Sequence, residues 1–289
     1  MSGFSAEWLA LREPADERAR NGEVASSLAA RFALRDSIRV VDLGCGAGSN
    51  LRATSALLPK RQFWTLIDYD DGLLTAARTA LIRWADSTHE HETGVLELTR
   101  GESRIHVEFR QLDLAANIDA ALDSLPDLVT AAAFFDLASA DFIRRVVQAT
   151  GRRRAVFYTV LTYNGIQHWT PRQPSDGQMT QAFNRHQMTD KGLGPAAGPM
   201  APVELAEQLE HAGYSVIEGQ SPWRLTAGHD ARLIAELVAG QAAAVRETNA
   251  VDAVTVDRWE CIARTGAEVG HVDTLGLPPL DADEMDEEE

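Results

Sequence analysis

The chain has 289 residues, of which 45% are hydrophobic, and this length is enough to bury a full core as one large domain. Its formal net charge of −16 repels nucleic acid phosphates and anionic membranes, which disfavours both as partners. Two cysteines exclude a disulfide framework, and the sequence shows neither a signal-peptide pattern nor an apolar run that could span a membrane. We therefore expect a cytoplasmic protein, with a disordered acidic tail at residues 281–289.

The amino-terminal region, residues 1–35, is predicted to form a helical cap. Phe4 to Leu11 reads as a short amphipathic helix that stops near Pro14. Ala15 to Phe32 reads as a second, longer helix, because its apolar residues recur near helical spacing.

From residue 36 onward, apolar runs alternate with helical patterns. A hairpin turn at Arg100–Gly101 precedes the third of these runs. This alternation predicts an α/β fold with a doubly wound, mainly parallel sheet. The first five strands are predicted at Arg39–Leu43, Phe63–Ile67, Ile105–Leu112, Leu128–Ala133 and Ala155–Leu161.

The pattern changes after the fifth strand. Residues 164–200 are rich in Gly, Pro, Gln and Asn with embedded aromatic residues, and we expect them to form a substrate loop or lid. Residues 226–266 would be a helical insertion before the last strand. The remaining predicted elements are a helix at Pro202–Ala212, a strand at Tyr214–Gly219, helices at His229–Thr248 and Ala253–Arg264, and a final strand at Glu268–Leu275.

The most informative segment is VVDLGCGAGSN, from Val40 to Asn50. A buried strand leads into a turn in which Gly44, Gly46 and Gly48 let backbone N–H groups approach a ligand closely. The next strand ends at Asp68, whose carboxylate can accept both hydroxyl groups of a ribose. The segment therefore predicts a site for a nucleoside-containing cofactor.

The spacing of the glycines and the position of Asp42 indicate which cofactor. A dinucleotide site would show G-x-G-x-x-G, whereas this chain reads G-x-G-x-G. A carboxylate at Asp42 would repel a pyrophosphate but attract the ammonium and sulfonium groups of S-adenosylmethionine. Asp42 with its glycine turn resembles motif I of the class I S-adenosylmethionine-dependent methyltransferases, and IDYDDGLL from Ile67 to Leu74 resembles their second motif.

This resemblance implies a Rossmann-like methyltransferase domain over residues 36–280, with seven strands and S-adenosyl-L-methionine as cofactor. Asp42 and the three glycines would surround the methionine moiety, Asp68 would hold the ribose, and Tyr69 would pack on the adenine. The segment Leu112-Asp113-Leu114 resembles the adenine site of the family, with Asp113 accepting a hydrogen bond from the adenine amino group. Asp113 fits equally well as the N-cap of the following helix.

The resemblance also places Asp136, at the end of the fourth strand, beside the reacting methyl group. Asp136 could instead cap a helix that starts near Ser139. His186 and His168 are the other candidates for a general base, which is needed if the acceptor is a hydroxyl or a protonated amine. The helix that carries His186 could also be an ordinary surface helix with incidental ion pairs.

Candidate substrate residues come from three regions of the chain. They are Trp8 and Arg12 in the cap, Tyr163, Trp169 and Asn184 at or in the loop, and Trp223 after the penultimate strand. Packing of Trp8 on the core is an equally good interpretation. His89 and His91 flank a glutamate, but nothing nearby in the sequence completes a metal site, and no metal is predicted.

Together these patterns predict methyl transfer by in-line displacement to a small-molecule acceptor, with a cationic or amine-bearing metabolite as the hypothesis. The chain lacks Asn/Asp-Pro-Pro-Tyr/Phe and a Pro-Cys pair, which disfavours methylation of nucleobases. Two alternatives remain open. One is a non-catalytic S-adenosylmethionine-binding module that engages a protein partner, and the other is a nicotinamide-dependent oxidoreductase, disfavoured by Asp42 and the glycine spacing.

Overall fold

A mixed β-sheet runs through the part of the chain that the computed structural model describes, residues 4–279. Its strands are β1 Ser37–Leu43, β2 Arg61–Asp68, β3 Ser87–Glu90, β4 Leu96–Arg100, β5 Ser103–Gln111, β6 Leu128–Ala132, β7 Val156–Thr170, β8 Ser215–Gln220, β9 Trp223–Thr226 and β10 Gly266–Leu277. Its helices are α1 Ala6–Ala19, α2 Gly22–Phe32, α3 Ser49–Thr54, α4 Asp71–Trp84, α5 Leu114–Ala121, α6 Ala140–Arg152, α7 Asp176–Gln187, α8 Ala201–His211, α9 Ala227–Thr248 and α10 Ala253–Glu260. The acidic segment 281–289 lies outside the described residues.

The strand order is β3-β4-β5-β2-β1-β6-β7-β10-β8, and β9 also pairs with β10. Strands β5, β2, β1, β6 and β7 are parallel, whereas β10 is antiparallel to both β7 and β8. The doubly wound, mainly parallel sheet predicted from the sequence is therefore confirmed. Because β1 pairs with β2 on one side and with β6 on the other, the strand order reverses at β1, and this is where open α/β sheets bind ligands.

The expected number of seven strands is wrong, because the described residues form a ten-stranded sheet. Strand β3 has the sequence STHE with every residue exposed, so it lacks the apolar alternation that identifies a strand. Strand β9 has four residues, which is too short for periodicity to be visible. Both strands exist because a neighbouring strand offers them a hydrogen-bonding edge.

Strand β7 extends nine residues beyond its predicted end, since it continues past Leu161 to Thr170. Its second half pairs with the start of β10, in a register that joins Gly266 to Thr170 and Val269 to Gln167. The segment 164–200 therefore contains the end of β7 and helix α7. The prediction that all of it forms a loop is wrong. Trp169, proposed above as a substrate residue, is buried there and packs edge-on against Trp259 with ring centroids 5.3 Å apart.

The predicted helix boundary at Pro14 is also wrong, because α1 continues through Pro14 to Ala19. A proline inside a helix removes one backbone hydrogen bond, so contacts on either side must compensate. Arg52 bonds Glu13 before the proline, and Trp223 Nε1 donates to Asp16 after it at 3.0 Å. The break falls instead at Asn21, whose side chain accepts from two N–H groups of α2 and caps it.

Three hydrophobic clusters hold these layers together. Helices α2, α3 and α4 pack on one face of the parallel strands, and α5, α6 and α8 pack on the other. Successive residues of β1 alternate between them, with Val40 in the first cluster and Val41 in the second. The third cluster joins α1, α7, α9 and α10 to the extension formed by β7, β9 and β10. None of the described helices has the length and apolarity needed to span a membrane.

A buried carboxylate, Asp273, connects this extension to the rest of the molecule. Its Oδ1 accepts from the backbone N–H of Leu161 at 2.8 Å and from the hydroxyl of Ser221 at 2.6 Å. Its Oδ2 accepts from the backbone N–H of Asn21 at 2.8 Å. Leu161 has φ of 59° and lies where the β7–β10 register shifts, so Asp273 satisfies an N–H group that the ladder leaves free at the bend.

Substituting Asp273→Ala should lower the free energy of unfolding by about 2–4 kcal/mol, because three buried donors would lose their acceptor. Urea denaturation followed by circular dichroism measures the loss. The control is Asp123→Ala, which removes a carboxylate whose side chain is 61% exposed and paired with Arg110. That variant should stay within about 0.5 kcal/mol of the wild type. Equal effects of the two substitutions would contradict this assignment.

Candidate active site

The glycine turn after β1 has a backbone that only glycine adopts easily. Gly44, Gly46 and Gly48 have φ values of 63°, 52° and 74°. A Cβ atom at Gly44 would lie 2.5 Å from Cδ2 of Phe134, so the turn also needs glycine for space. Gly46 N donates to Asp68 Oδ2 at 2.9 Å, which ties the turn to the end of β2. The expected strand, turn, helix and acid therefore lie together at the reversal of strand order.

Asp42 is fully buried beneath this turn. Asn50 Nδ2 donates to its Oδ1 at 2.8 Å, whereas its Oδ2 has no hydrogen-bond partner. Burial raises the pKa of Asp42 to about 7, and the hydrogen bond from Asn50 opposes this rise. Asn50 in turn accepts from Arg20 at 3.0 Å, so a cation lies in the second layer around the carboxylate. An unpartnered buried carboxylate oxygen at a glycine turn is the expected receptor for a cationic group.

Asp68 is the second carboxylate of this region. Besides the bond from Gly46, its Oδ1 accepts from Asp70 N at 3.0 Å, and burial raises its pKa. A carboxylate has about four acceptor positions, so Asp68 retains capacity for the hydroxyls of a ribose. Tyr69 is 58% exposed beside it, and Leu112 N donates to the backbone oxygen of Asp68. Asp68, Tyr69 and Leu112 are therefore adjacent at the ends of β2 and β5.

The segment Leu112-Asp113-Leu114, predicted to hold the adenine, follows the end of β5. Asp113 accepts from Ala115 N at 2.9 Å and caps α5, so its interpretation as an N-cap is confirmed. Leu112 is partly exposed, whereas Leu114 is buried among the residues that pack under α5. The adenine role of these three residues stays a prediction.

Helix α1 lies across the glycine turn. Leu9 Cδ1 is 3.0 Å from the position that a Cβ of Gly46 would take. Both carboxylate oxygens of Glu13 accept from the Arg52 guanidinium at 2.7 Å, which fastens α1 to α3. A cavity beneath α1 reaches from Glu13 and Arg52 to Ala132 at the end of β6 and Leu161 in the middle of β7. The helix thus covers the region between the turn and the strand ends.

Asp136 lies in a 3₁₀ turn after β6. Ser139 caps α6 by accepting from Phe142 N, so the alternative that Asp136 caps this helix is wrong. Asp136 Oδ1 is buried without a hydrogen-bond partner. Burial raises the pKa of Asp136 to about 6, while backbone hydrogen bonds and the charge of Arg12 oppose this rise.

Near Asp136, aromatic and basic side chains from distant segments form a cluster that includes Arg12 and Tyr163. The Arg12 guanidinium lies 4.9 Å from the ring centroid of Trp223 and pairs with Asp16 at 2.9 Å. The ring of His271 is 5.2 Å from that of Trp223 and 6.2 Å from that of Tyr163. The Tyr163 hydroxyl donates to Asn184 Oδ1 at 2.7 Å. Tyr163, Asn184, Trp223 and Arg12 thus belong to one cluster, although they come from four different elements.

Sequence reasoning missed His271, which lies in the middle of β10 and is 5% exposed. Its Nδ1 is buried without a partner, and burial lowers its pKa to about 3, with a further contribution from the charge of Arg12. It is therefore a neutral imidazole with an unused polar atom. The only signal in the sequence is a lone histidine in an apolar alternating run, which is more typical of a satisfied core residue.

The other two predicted bases, His168 and His186, have partners outside this cluster. His168 is exposed on the second half of β7, opposite Glu268 of β10 and five residues beyond Tyr163. His186 pairs with Glu247 of α9 at 3.0 Å. The roles of both histidines as general bases stay predictions. Trp8 is partly buried against the third hydrophobic cluster, which agrees with its alternative interpretation as a packing residue.

Comparison with known proteins supports the fold. No protein-family model matches the chain, and no curated protein matches it. One similar solved structure is a candidate methyltransferase from Bacillus halodurans C-125, with 12% identity and a TM-score of 0.52, covering 89% of this chain and 100% of that one. Another is a cyclopropane-fatty-acyl-phospholipid synthase-like protein from Lactobacillus casei ATCC 334, with 12% identity and a TM-score of 0.52, covering 95% and 94%.

A third similar structure is a SAM-dependent methyltransferase from Geobacter sulfurreducens, solved in complex with S-adenosyl-L-homocysteine, with 17% identity and a TM-score of 0.45, covering 96% and 100%. The first two likenesses, together with the strand order, establish the architecture. The chain has the fold of the class I S-adenosylmethionine-dependent methyltransferases, as its motifs predicted.

The buried position of Asp42 predicts a specific pH dependence of stability. Its pKa rises from 3.8 to about 7 on folding, so between these values the folded chain holds a proton that the unfolded chain releases. This carboxyl group therefore makes the fold less stable as pH rises through that window. Asn cannot ionise, so Asp42→Asn should gain about 1–3 kcal/mol relative to the wild type between pH 5 and pH 8.

Urea unfolding of both proteins at the two pH values measures this difference. The control is Asp141→Asn, which changes a carboxylate whose side chain is 62% exposed at the start of α6. Its difference from the wild type should change much less between pH 5 and pH 8. Parallel pH curves for the wild type and Asp42→Asn would show that Asp42 is not buried as a protonated group.

Proposed function

We propose that this protein transfers a methyl group from S-adenosyl-L-methionine to a small-molecule acceptor. The observation that carries the proposal is Asp42 Oδ2, a buried carboxylate oxygen without a partner, beneath a glycine turn whose neighbouring strand ends in Asp68. A buried anion without a partner is costly, and binding of a cationic ligand would relieve that cost. The fold places this carboxylate at the reversal of strand order, where such sheets bind ligands.

The donor set fits this cofactor better than a nicotinamide dinucleotide. Asp42 and the glycine turn would hold the methionine moiety, whose ammonium and sulfonium charges complement the carboxylate. Asp68 would accept from the ribose hydroxyls, and Tyr69 and Asp113 would hold the adenine. A pyrophosphate at the same turn would face two carboxylates, which disfavours the oxidoreductase alternative.

The bound cofactor would supply an activated methyl group with a good leaving group, which leaves the chain to align the acceptor and exclude water. Tyr163 and Trp223 offer aromatic surface for an acceptor, and Asn184 fixes the Tyr163 hydroxyl. Helix α1 would close the site through Leu9 and the pair between Glu13 and Arg52. In this proposal residues 1–35 act as the cap of a methyltransferase domain at residues 36–280.

Asp136 is the general base in this proposal. A base works best when its pKa lies near the working pH, and Asp136, with a pKa of about 6, is largely ionised at pH 7. His271, with a pKa of about 3, is too weak a base and would instead position the acceptor through its free Nδ1. An acceptor with a hydroxyl or a protonated amine would donate its proton to Asp136. The aromatic rings and the carboxylate of Asp136 would attract a cationic amine, and the charge of Arg12 would oppose it.

The cofactor assignment predicts that Asp68→Ala weakens binding of S-adenosylmethionine and S-adenosylhomocysteine by about 10- to 100-fold, since hydrogen bonds to a charged group contribute about 1.5–3 kcal/mol. Isothermal titration calorimetry with both ligands, and with NADH for comparison, measures the change. The matched control is Asp71→Ala, an exposed carboxylate three residues further along the chain, and it should bind like the wild type. Binding of NADH alone, or of none of the three ligands, would overturn the proposal.

The catalytic assignment predicts that Asp136→Asn lowers kcat by about 10²- to 10⁴-fold, the usual contribution of a general base. The wild-type rate should fall as pH drops through about 6, because the carboxylate becomes protonated, and this dependence should vanish in the variant. A screen of hydroxyl- and amine-bearing small molecules, with RNA, DNA and protein included, first identifies an acceptor. The assay then follows the S-adenosylhomocysteine formed with that acceptor. Asp141→Asn serves as the control with unchanged kcat.

The screen also separates the remaining alternative. Tight cofactor binding without turnover on any acceptor, together with a stable protein partner, would favour a non-catalytic binding module. Turnover on nucleic acid or protein alone would contradict the small-molecule acceptor and leave the cofactor assignment intact.

A further inference from the structure

A row of side chains crosses the sheet edge on the face opposite α4. His89 of β3 lies opposite Glu97 of β4, Glu97 lies opposite His106 of β5, and His106 lies beside Phe63 of β2. Because side chains alternate along a strand, the buried neighbours Ile105 and Val107 of His106 point to the other face. The antiparallel pairing thus brings residues that are far apart in sequence into one line.

Three potential ligand atoms converge in this row. Atoms of His91, Glu97 and His106 all lie within 4.8 Å of one another, and His91 Nε2 is 3.2 Å from Glu97 Oε2. The ring of His89 lies 4.8 Å from that of His91 by centroids. Phe63 stacks on His106 with centroids 5.0 Å apart and an interplanar angle of 11°, which fixes the orientation of that imidazole.

This ligand set suits a borderline transition metal ion. Two imidazoles and one carboxylate are a common ligand set for Zn²⁺, which prefers four ligands in tetrahedral geometry. His89 or water can complete the coordination. A small rotation of partly exposed side chains would shorten the present separations to metal-ligand spacing. The expectation that no metal binds rested on His89 and His91 alone, because Glu97 and His106 reach them only through strand pairing.

The positive charge of Arg104 opposes binding of a cation at this row. Arg104 Nε is 3.5 Å from Glu97 Oε1, and its side chain is 69% exposed, so it can swing into solvent when the carboxylate binds an ion. This guanidinium should weaken metal binding through charge repulsion. Its removal therefore offers a test in the direction opposite to removal of a ligand.

We propose that His91, Glu97 and His106 form a Zn²⁺ site that ties β4 and β5 to the end of β3. Phe63 pairs with Arg39 near the start of β1, whereas the glycine turn follows the end of the same strand, so the metal site lies toward the opposite ends of the strands from Asp42. The site is independent of the proposed methyl transfer. Its role is to hold a short, exposed edge hairpin whose strand β3 buries no side chain.

Titration of the untagged, full-length chain with ZnCl₂ by calorimetry tests the site, with Co²⁺ absorption as a report of tetrahedral coordination. We expect one ion per chain, with binding at least about 10-fold weaker in His106→Ala and in Glu97→Gln. Arg104→Ala should bind about two- to five-fold more tightly. Zn²⁺ should raise the Tm of the wild type and leave that of His106→Ala unchanged.

The matched control is His211→Ala, which removes a histidine of α8 that contacts the backbone oxygen of Glu207 and lies outside this row. It should bind Zn²⁺ like the wild type. Circular dichroism with EDTA present establishes that His106→Ala is folded. Wild-type affinity in folded His106→Ala and Glu97→Gln, or binding weaker than millimolar in the wild type, would overturn the proposal. Neither result would affect the cofactor titration with Asp68→Ala.

Discussion

The architecture of the site depends on how the chain satisfies one backbone N–H group at Leu161. Strand β7 bends there with a positive φ, and the ladder to β10 shifts register at the same point. Asp273 accepts the N–H of Leu161 and also holds Asn21 and Ser221, so the bend, the start of α2 and the corner before β9 share one acceptor. A bend without such an acceptor would leave a buried donor unpaired, at a cost of about 1–3 kcal/mol. Burial raises the pKa of Asp273, and the same three hydrogen bonds oppose this rise.

This bend gives the methyltransferase-like sheet its second half. Up to Val160, β7 lies between β6 and β10. Beyond Leu161 it pairs with β10 alone, and the start of β10 also pairs with β9. Tyr163 and His271 come into contact because they lie just past the bend on paired strands. Helix α1 packs in the same hydrophobic cluster as the extension and also contacts the glycine turn through Leu9. A structural carboxylate therefore decides where the aromatic walls of the proposed acceptor site lie.

The sequence predicted the local part of the site well and the long-range part poorly. The strand, the glycine turn and Asp68 were readable because they lie within a few residues of special backbone geometry, and their chemistry follows from residue type. The full length of β7, strand β3 and helix α1 beyond Pro14 were not, because each depends on a partner elsewhere in the chain. His271 and the row containing Glu97 and His106 were missed for the same reason. An isolated histidine in a strand carries no functional signal until the strand opposite it is known.

Two buried carboxyl groups lower the stability of the fold and have the properties of functional groups. Asp42 and Asp136 each have a buried oxygen without a partner and a pKa raised by burial, a combination that a purely structural carboxylate such as Asp273 avoids by filling its acceptor positions. A buried carboxyl group with an unpartnered oxygen does not stabilise the fold. Binding a cation or accepting a proton would explain why the chain has two such groups. Asp42 lies near the end of β1 and Asp136 follows the neighbouring parallel strand β6, at the edge where the strand order reverses. A methyl donor held at the first and an acceptor held at the second would meet across that edge, which is the arrangement that in-line transfer requires.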